Sequence, residues 1–384
     1  MMTTLPLEGI VVLDFSQFLA GPSAALRLAD LGAKVIKIER PGTGELGRSL
    51  YISDQEFDGE SALFHTINRN KLSYAANLKD EKDLKKVKRL IARADILIEN
   101  FRPGVMRKFG LDYDSLKEEN TKLIYGSVTG YGTEGPWKRL PGQDLLVQAR
   151  SGLAWLSGES TQGPVPVGLS LVDIITGAHL VQGLLACLVR RGISDKGGLV
   201  EVNLMESILD MQFELFTCHL NDGGQLPRRS GINNANAYLG APYGVYRTAD
   251  GYMAMSMGDI VRLGEILECP GLTPYDDSGA WFAKRDEIKT VLAEHLIGRS
   301  TQDWMDRLIE ADYWAAPVLD WRELRKDGGF KALEFVQEVE RESGAVLKTT
   351  RCPVRIDHEK LFSRRAAPRP GEHTESINTE YGLD

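Results

Sequence analysis

Short β-branched runs alternate with amphipathic stretches along the first half of the chain. Gly9-Ile10-Val11-Val12-Leu13-Asp14-Phe15 reads as a strand, Ser23 to Leu31 as a helix ending at Gly32, and Lys34-Val35-Ile36-Lys37-Ile38-Glu39 as a second strand. Strand, helix, strand with short connections is a parallel βαβ unit whose ligand side lies at the carboxyl ends of the strands. Gln17 to Ala20 and Arg40 fall on that side. From Gly42 to Asn70 the chain is Gly-rich and polar, a loop layer carrying Arg48, His65 and Arg69, with Lys71 following; taken singly, each reads as a solvated charge. Asp80 to Arg93 predicts a charged helix, and Asp95-Ile96-Leu97-Ile98-Glu99 a third strand running into Asn100-Phe101-Arg102-Pro103-Gly104. A short helix is expected from Val105 to Phe109. Leu123 to Val128 is a fourth strand, and the Gly-rich turn after it, Thr129 to Pro136, lets backbone approach a ligand closely.

The longest apolar segment follows Asp173. Ile174 to Val189, stopped by Arg190-Arg191-Gly192, predicts a buried helix with Asp173 at or beside its N-cap. The free N–H groups and dipole of a helix start favour an ionised carboxylate, and an oriented anion in a partly dry place can act as a nucleophile. On this feature alone an ordinary capping Asp is the simpler account. A second acid stands 29 positions earlier in Gly142-Gln143-Asp144. Further on, Gly198 to Leu204 predicts a strand and Met205 to Leu220 a helix. A polar linker, Asn221 to Asn236, contains Arg228 and Arg229. A hairpin turning at Asp250-Gly251 and helices near 260–267, 281–296 and 302–310 come next. The pattern separates a smaller α+β domain, residues 225–325, from a larger α/β domain made of residues 1–224 and 326–384.

Composition narrows the classes. The 384 residues exceed what one core usually organises, so two domains are expected. A net charge of −8 disfavours a nucleic-acid surface while allowing local cationic pockets. The start of the sequence lacks a basic-then-apolar leader, and no run of uncharged apolar residues reaches membrane-spanning length. Cys187, Cys218, Cys269 and Cys352 are scattered without a CxxC pair, which predicts reduced thiols in the cytoplasm and no metal site. The first βα turn has no GxGxxG, so no dinucleotide cofactor, and no tightly bound cofactor of any kind, is expected.

Several segments together resemble a known family. They are Leu13-Asp14-Phe15 with Ala20-Gly21-Pro22, Val35 to Arg40, Glu99 to Gly104, Gly130-Tyr131-Gly132, Gly168 to Asp173, and Gly371-Glu372-His373-Thr374. In order and over nearly the whole chain, they resemble the family III CoA-transferases, the group of formyl-CoA transferase and carnitine CoA-transferase. The resemblance implies a Rossmann-like parallel-sheet domain formed by both chain ends, a small α+β domain, and an interlocked homodimer of two threaded subunits. It also implies that Asp173 is the nucleophile, forming an anhydride and then a thioester with CoA, with Asp144 and Gln143 supporting it.

Racemases of the same superfamily carry Gly-His-Asp where this chain has Gly142-Gln143-Asp144. Gln143 cannot take up a proton at neutral pH, which favours transfer over α-methylacyl-CoA racemisation. A catalytically silent CoA-binding protein is the remaining alternative. By position against the family, Gln17, Phe18, Leu19, Ala20, Arg40, Asn100, Phe101, Val105, Lys108 and Met205 are the expected CoA-binding residues. Thr129 and Pro141 stand where formyl-CoA transferase has basic residues, and Arg102, Lys138 or Arg139 would substitute. The tetraglycine loop of formyl-CoA transferase has no counterpart between Asn221 and Tyr246. For the far carboxylate of a dicarboxylic substrate, Arg48, Arg69, Arg228 and Arg229 are all eligible.

Overall fold

The computed structural model describes residues 5–383 and divides into two compact units. The first takes residues up to 147, residues 170–211 and those from 334 onward; the second takes 148–169 and 212–333. These bounds differ from those expected from composition. The segment 148–169 belongs to the second unit, and the chain crosses at 212, inside an apolar run, instead of in the polar linker. The continuous helix expected from Met205 to Leu220 is two helices, Leu204–Met211 and Phe213–Asn221, and the crossing falls at the break between them.

The first unit is built on six strands: β1 (Val11–Asp14), β2 (Lys34–Glu39), β3 (Leu72–Ala75), β4 (Ile96–Glu99), β5 (Ile124–Thr129) and β6 (Gly198–Asn203). They lie in the order β3-β2-β1-β4-β5-β6, every neighbouring pair parallel. This is the doubly wound order in which the connections change direction between β1 and β4, opening a crevice beyond their carboxyl ends. β4 is buried along its whole length, as a central parallel strand covered on both faces must be. The connecting helices are α1 (Ala20–Asp30), α2 (Ala62–Asn68), α3 (Glu81–Ile91) and α4 (Val105–Lys108), followed by α5 (Asp144–Arg150), α6 (Leu171–Ser194) and α7 (Leu204–Met211). Leu13, Ile36, Leu97 and Tyr125 of the sheet pack with Val87 and Leu90 of α3 and with Ile377 and Tyr381 near the C-terminus. The C-terminal segment seals the edge at β3: His373 donates its N–H to Ser73 O, and Thr374 Oγ1 accepts the N–H of Ala75.

The expected loop layer contains α2, and the four groups there and next to it that read as solvated charges are not solvated. Arg48, His65, Arg69 and Lys71 are all buried. Arg48 holds Glu39 through two bonds of 2.8 and 2.7 Å and also pairs with Glu60. Arg69 bonds Ser363 and Asp30, and Lys71 bonds Asp14 at 2.9 Å. Burial alone would raise the Asp14 carboxyl, yet the ammonium groups of Lys37 and Lys71 hold it at about 2. A buried ion-pair frame therefore stands under the crevice.

Helix α6 is long and apolar enough by composition to cross a membrane. One face of it, Val172, Thr176, Gly177, Leu180 and Leu184, is buried, and the helix packs on α1, β5, β6 and α7. Ile174, Val189 and Ile193 remain exposed.

The second unit carries an antiparallel sheet of β7 (Gly244–Arg247), β8 (Tyr252–Met255) and β9 (Ala315–Pro317), with β8 central. Helices α8 (Ile260–Leu267), α9 (Arg285–Leu296) and α10 (Thr301–Glu310) cover it around a core that includes Leu263, Ile288, Leu292 and Trp304.

Candidate active site

A cavity of about 960 Å³ opens in the first unit at the β1/β4 switch point. Its walls come from the turns after β1 (Phe15, Gln17, Phe18), β2 (Arg40 to Leu46), β3 (Ala76 to Lys79) and β4 (Asn100 to Arg102), with Val105 and Phe109 closing one side. Hydrogen bonds fix this rim. The Gln17 N–H donates to Asn100 Oδ1, and Asn100 Nδ2 donates to Gln17 O, both at 2.7 Å, tying the β1 turn to the β4 turn. Phe15, Ile38, Ala76 and Phe101 supply apolar wall. Arg40, Lys79 and Arg102 are exposed at the rim, and the ion pairs of the lining residues, Lys37–Glu45 and Arg48–Glu39, do not involve them. An apolar slot edged by free cations suits a phosphorylated ligand with an apolar arm.

Of the ten residues expected to bind such a ligand, Gln17, Phe18, Arg40, Asn100, Phe101 and Val105 line the cavity. Four lie elsewhere. Leu19 caps α1, and Ala20 is buried at the start of that helix. Lys108 is exposed in the last turn of α4. Met205 is buried at the start of α7, its N–H donated to Gly130 O at 3.1 Å. Sequence reasoning missed Glu45, Leu46, Asn77 and Lys79. The last two follow β3, a strand hidden because Ser73 interrupts its apolar run; Ser73 is itself buried, donating to Glu39 Oε1 at 2.7 Å.

Asp173 is the third residue of α6 and is half-buried. One turn further along, Gly177 meets α1: a Cβ there would stand 2.8 Å from Ala20 O and 2.4 Å from Ser23 Oγ. Asp173 therefore precedes the α6–α1 contact by one helical turn, and neither it nor Asp144 nor Gln143 is among the residues that line the cavity.

The start of α6 has no cap of its own from Ser170. Asp144, the buried first residue of α5, supplies it: Oδ2 accepts the N–H of Val172 at 2.7 Å and of Asp173 at 3.1 Å. Asp144 is set there by a backbone contact in which no side chain fits. A Cβ on Gly142 would lie 2.4 Å from Gly130 Cα, and one on Gly130 would lie 2.6 Å from Gly142 Cα. Gln143, between Gly142 and Asp144, is exposed and gives its carbonyl to Val147 N–H at 3.0 Å.

This arrangement corrects the expectation that the helix terminus keeps Asp173 as an anion. The nearest N–H groups are spent on Asp144. Burial first, and the Asp144 charge second, push the Asp173 carboxyl up to about 7. The distal-carboxylate candidates narrow as well. Arg48 and Arg69 are committed within the first unit as described above. Arg229, in the second unit, is buried and donates to the carbonyls of Ser157, Gln162 and Gly163. Arg228 is exposed.

A doubly wound α/β unit with a cation-edged crevice at its switch point and a perturbed carboxylate at a helix start is an architecture suited to a phosphorylated carrier. Residues 7–374 match CoA-transferase family III, and the chain belongs to that family, whose enzymes move CoA between acyl-CoA and carboxylate. It is 32% identical to succinate–glutarate CoA-transferase of Agrobacterium fabrum, covering 98% of this chain and 95% of that protein. It is 31% identical to human succinyl-CoA:glutarate CoA-transferase over 98% and 86% of the two chains. Against succinyl-CoA:mesaconate CoA-transferase of Haloarcula marismortui it is 31% identical over 98% and 97%. Among solved structures, a CAIB/BAIF family protein from Brucella suis superposes with a TM-score of 0.85 at 29% identity, covering 100% of both chains. Rv3272 from Mycobacterium tuberculosis gives 0.81 at 29% identity over 97% and 99%.

Proposed function

We propose that this enzyme transfers CoA from an acyl-CoA donor to a free dicarboxylic acid, with Asp173 as the covalent residue. A carboxylate oxygen of Asp173 attacks the thioester carbonyl, the C–S bond breaks, and an acyl-aspartyl anhydride and CoA thiolate result. The thiolate attacks the aspartyl carbonyl, releasing the donor acid and leaving an aspartyl-CoA thioester. The acceptor carboxylate then attacks that thioester, giving a second anhydride and free thiolate. Attack of the thiolate on the acceptor's acyl carbon forms the new CoA ester and restores the Asp173 carboxylate. No proton moves at any stage, so the chain needs an ionised nucleophile, donors for the developing oxyanions and exclusion of water from the anhydrides.

One observation carries the reading: a half-buried carboxyl at the start of α6, one turn before that helix meets α1, lifted to about 7 by burial and by Asp144. Near neutral pH a large fraction of it is ionised, and a carboxylate of raised pKa is the more nucleophilic one. Gln143 offers no second base, so transfer is favoured over racemisation. The choice of a dicarboxylate rests on the relatives named for succinate, glutarate and mesaconate. Self-association into a homodimer is supported by unpartnered apolar faces on each unit: Val189 and Ile193 on α6, Phe213 and Leu220 on the helix Phe213–Asn221. Free thiols at all four cysteines fit a reducing, cytoplasmic setting.

The test incubates the protein with succinyl-CoA, acetyl-CoA or formyl-CoA against a panel of mono- and dicarboxylic acids and reads new CoA esters by mass spectrometry. Hydroxylamine or borohydride trapping should label Asp173 when donor is present. CoA exchange that persists in Asp173→Ala overturns the covalent role. Exchange of an α-proton of a 2-methylacyl-CoA for deuterium without acceptor would make the chain a racemase instead.

A further inference from the structure

The turn after β1 contains a backbone conformation that its sequence does not favour. Phe18 has φ +62°, in the left-handed region that a bulky L-residue rarely adopts and that persists only where surrounding groups impose it. Phe18 is also exposed in the wall of the crevice, beside Leu46. Each residue of this turn is held by a side chain from another part of the unit or by the end of β1. The Ser16 N–H donates to Asp14 at 3.0 Å and the Ser16 carbonyl accepts from Lys37 Nζ at 2.8 Å. Gln17 is tied to Asn100 through both its N–H and its carbonyl. The Phe18 N–H is held by Glu45, whose Oε2 accepts it at 3.2 Å.

Glu45 is built to do this. It is buried, its own N–H donates to Glu39 Oε2 at 3.0 Å, and its Oε1 lies 4.0 Å from the Lys37 ammonium without a hydrogen-bond donor. The Phe18 N–H is therefore the one hydrogen bond its carboxylate accepts among the described residues. Glu45 also lines the crevice, whose ligand carries negative phosphates, so its charge there works against direct binding of that ligand. A buried anion kept at an anion-binding crevice calls for a role toward the protein.

Resting on the CoA-binding reading of this crevice, we infer that Glu45 is a positioning residue for acyl-CoA: by accepting the Phe18 N–H it holds the left-handed turn that shapes the Gln17–Phe18 wall. Without that acceptor the turn relaxes toward ordinary φ values, the binding-competent shape becomes a minor fraction of the free enzyme, and apparent affinity falls by that fraction. The chemical step at Asp173, once ligand is bound, is unaffected.

The test compares Glu45→Gln with Glu45→Met. Both remove the charge facing Lys37 at nearly constant volume, and only Met removes the acceptor. CoA binding is measured by calorimetry and steady-state kinetics with the proposed donor ester. The Gln variant should bind CoA within about threefold of wild type, while the Met variant should bind about tenfold more weakly, equivalent to about 1.4 kcal/mol, with kcat at saturation within about twofold. In a Phe18→Gly background, where glycine takes positive φ unaided, Gln and Met at position 45 should bind CoA equally.

Equal affinities of the two variants with Phe18 in place overturn the inference, as does a Gln–Met difference that survives in the Phe18→Gly background or a loss confined to kcat. Should the Met variant fail to fold, the Gln variant still decides: a folded Gln protein that binds CoA tenfold more weakly shows that charge, not the acceptor, is what matters. Wild type that binds no CoA defeats the functional reading itself, a result distinct from wild type that binds CoA while position 45 is indifferent.

Discussion

Asp144 Oδ2 accepts the backbone N–H of Asp173 at 3.1 Å, so one carboxylate caps the helix that presents the other. Capping and charge can be separated by mutation. Asp144→Asn keeps an acceptor for Val172 and Asp173 but removes the like charge, the second cause of the raised Asp173 carboxyl. The acid limb of the kcat/KM profile, near pH 7 in the wild type, should move to lower pH in the Asn variant, with activity at pH 8 largely kept. Asp144→Ala loses the cap as well and should cost roughly 1 kcal/mol of stability together with a larger fall in rate. A pH–rate profile unchanged by Asn would mean that burial alone sets the Asp173 carboxyl.

The same shift ties activity to stability. Asp173 titrates near 7 in the folded chain against an ordinary value of 3.8. A carboxyl raised on folding contributes stability that is fully present below the unfolded value and lost as pH rises through the folded one. At pH 8 the native enzyme therefore carries a partly dry anion that Asp173→Asn relieves. The Asn variant should be inactive yet melt higher at pH 8, by an amount on the order of 1–2 kcal/mol after allowing for the solvent that reaches the side chain, and the gain should vanish as pH approaches 4. Thermal unfolding of both proteins across that range checks it; a destabilised Asn variant at pH 8 would contradict the raised carboxyl.

What the sequence makes legible is local. The βαβ start, the strand ending at Glu99 and the helix after Asp173 can be read because each is a run of one periodicity bounded by Gly, Pro or charge. The turns after β1 and β2 follow at once as ligand side, which is why Gln17 and Arg40 emerge from the pattern, whereas Asn100 is reached through the family resemblance. β3 escapes because its edge position tolerates Ser73, whose partner Glu39 lies 34 residues away, and with β3 go Asn77 and Lys79. Arg48 and Arg69 read as solvated for the same reason: Arg48 reaches Pro368 O and Arg69 reaches Ser363 only when the C-terminal segment returns to the sheet. The state of Asp173 escapes because a helix start is expected to serve its own acid, whereas the N–H groups here serve Asp144. Long-range partners, which no pattern along the chain announces, decide each of these cases.

Gly130 and Gly142 touch backbone to backbone, a Cβ on Gly142 falling 2.4 Å from Gly130 Cα. Gly142→Ala must push the Gln143–Asp144 segment away from β5, and with it the acceptor that caps α6. Overpacking of this kind costs about 1–3 kcal/mol, and the rate should fall at least tenfold through displacement of Asp144, with KM for acyl-CoA changed little because the crevice is built from other turns. Gly163→Ala, where a Cβ meets nothing within 4 Å, serves as the control and should behave as wild type. Kinetics and melting of the pair decide the point, and equal behaviour of the two variants would show that the contact yields cheaply.

The rim cations make the last separation, between holding the carrier and reacting with it. Arg40, Lys79 and Arg102 come from three different turns around one opening, and each stands exposed where a phosphate would be neutralised without displacing an existing carboxylate partner. Thr129 and Pro141 provide no charge, and of the cations these three are the ones that line the crevice, which makes them the first candidates for phosphate contacts if it takes CoA. Replacing any one by Ala should raise KM for the acyl-CoA roughly fivefold, about 1 kcal/mol for a solvent-facing charge-assisted contact, and leave kcat nearly unchanged because no cation touches the reacting carbonyl. Added salt should raise the wild-type KM and affect the variants less, one screened contact having already gone. Steady-state kinetics at two ionic strengths measure both effects; a variant whose loss falls on kcat instead would place that cation at the acyl end of the ligand and turn the proposed orientation of CoA around.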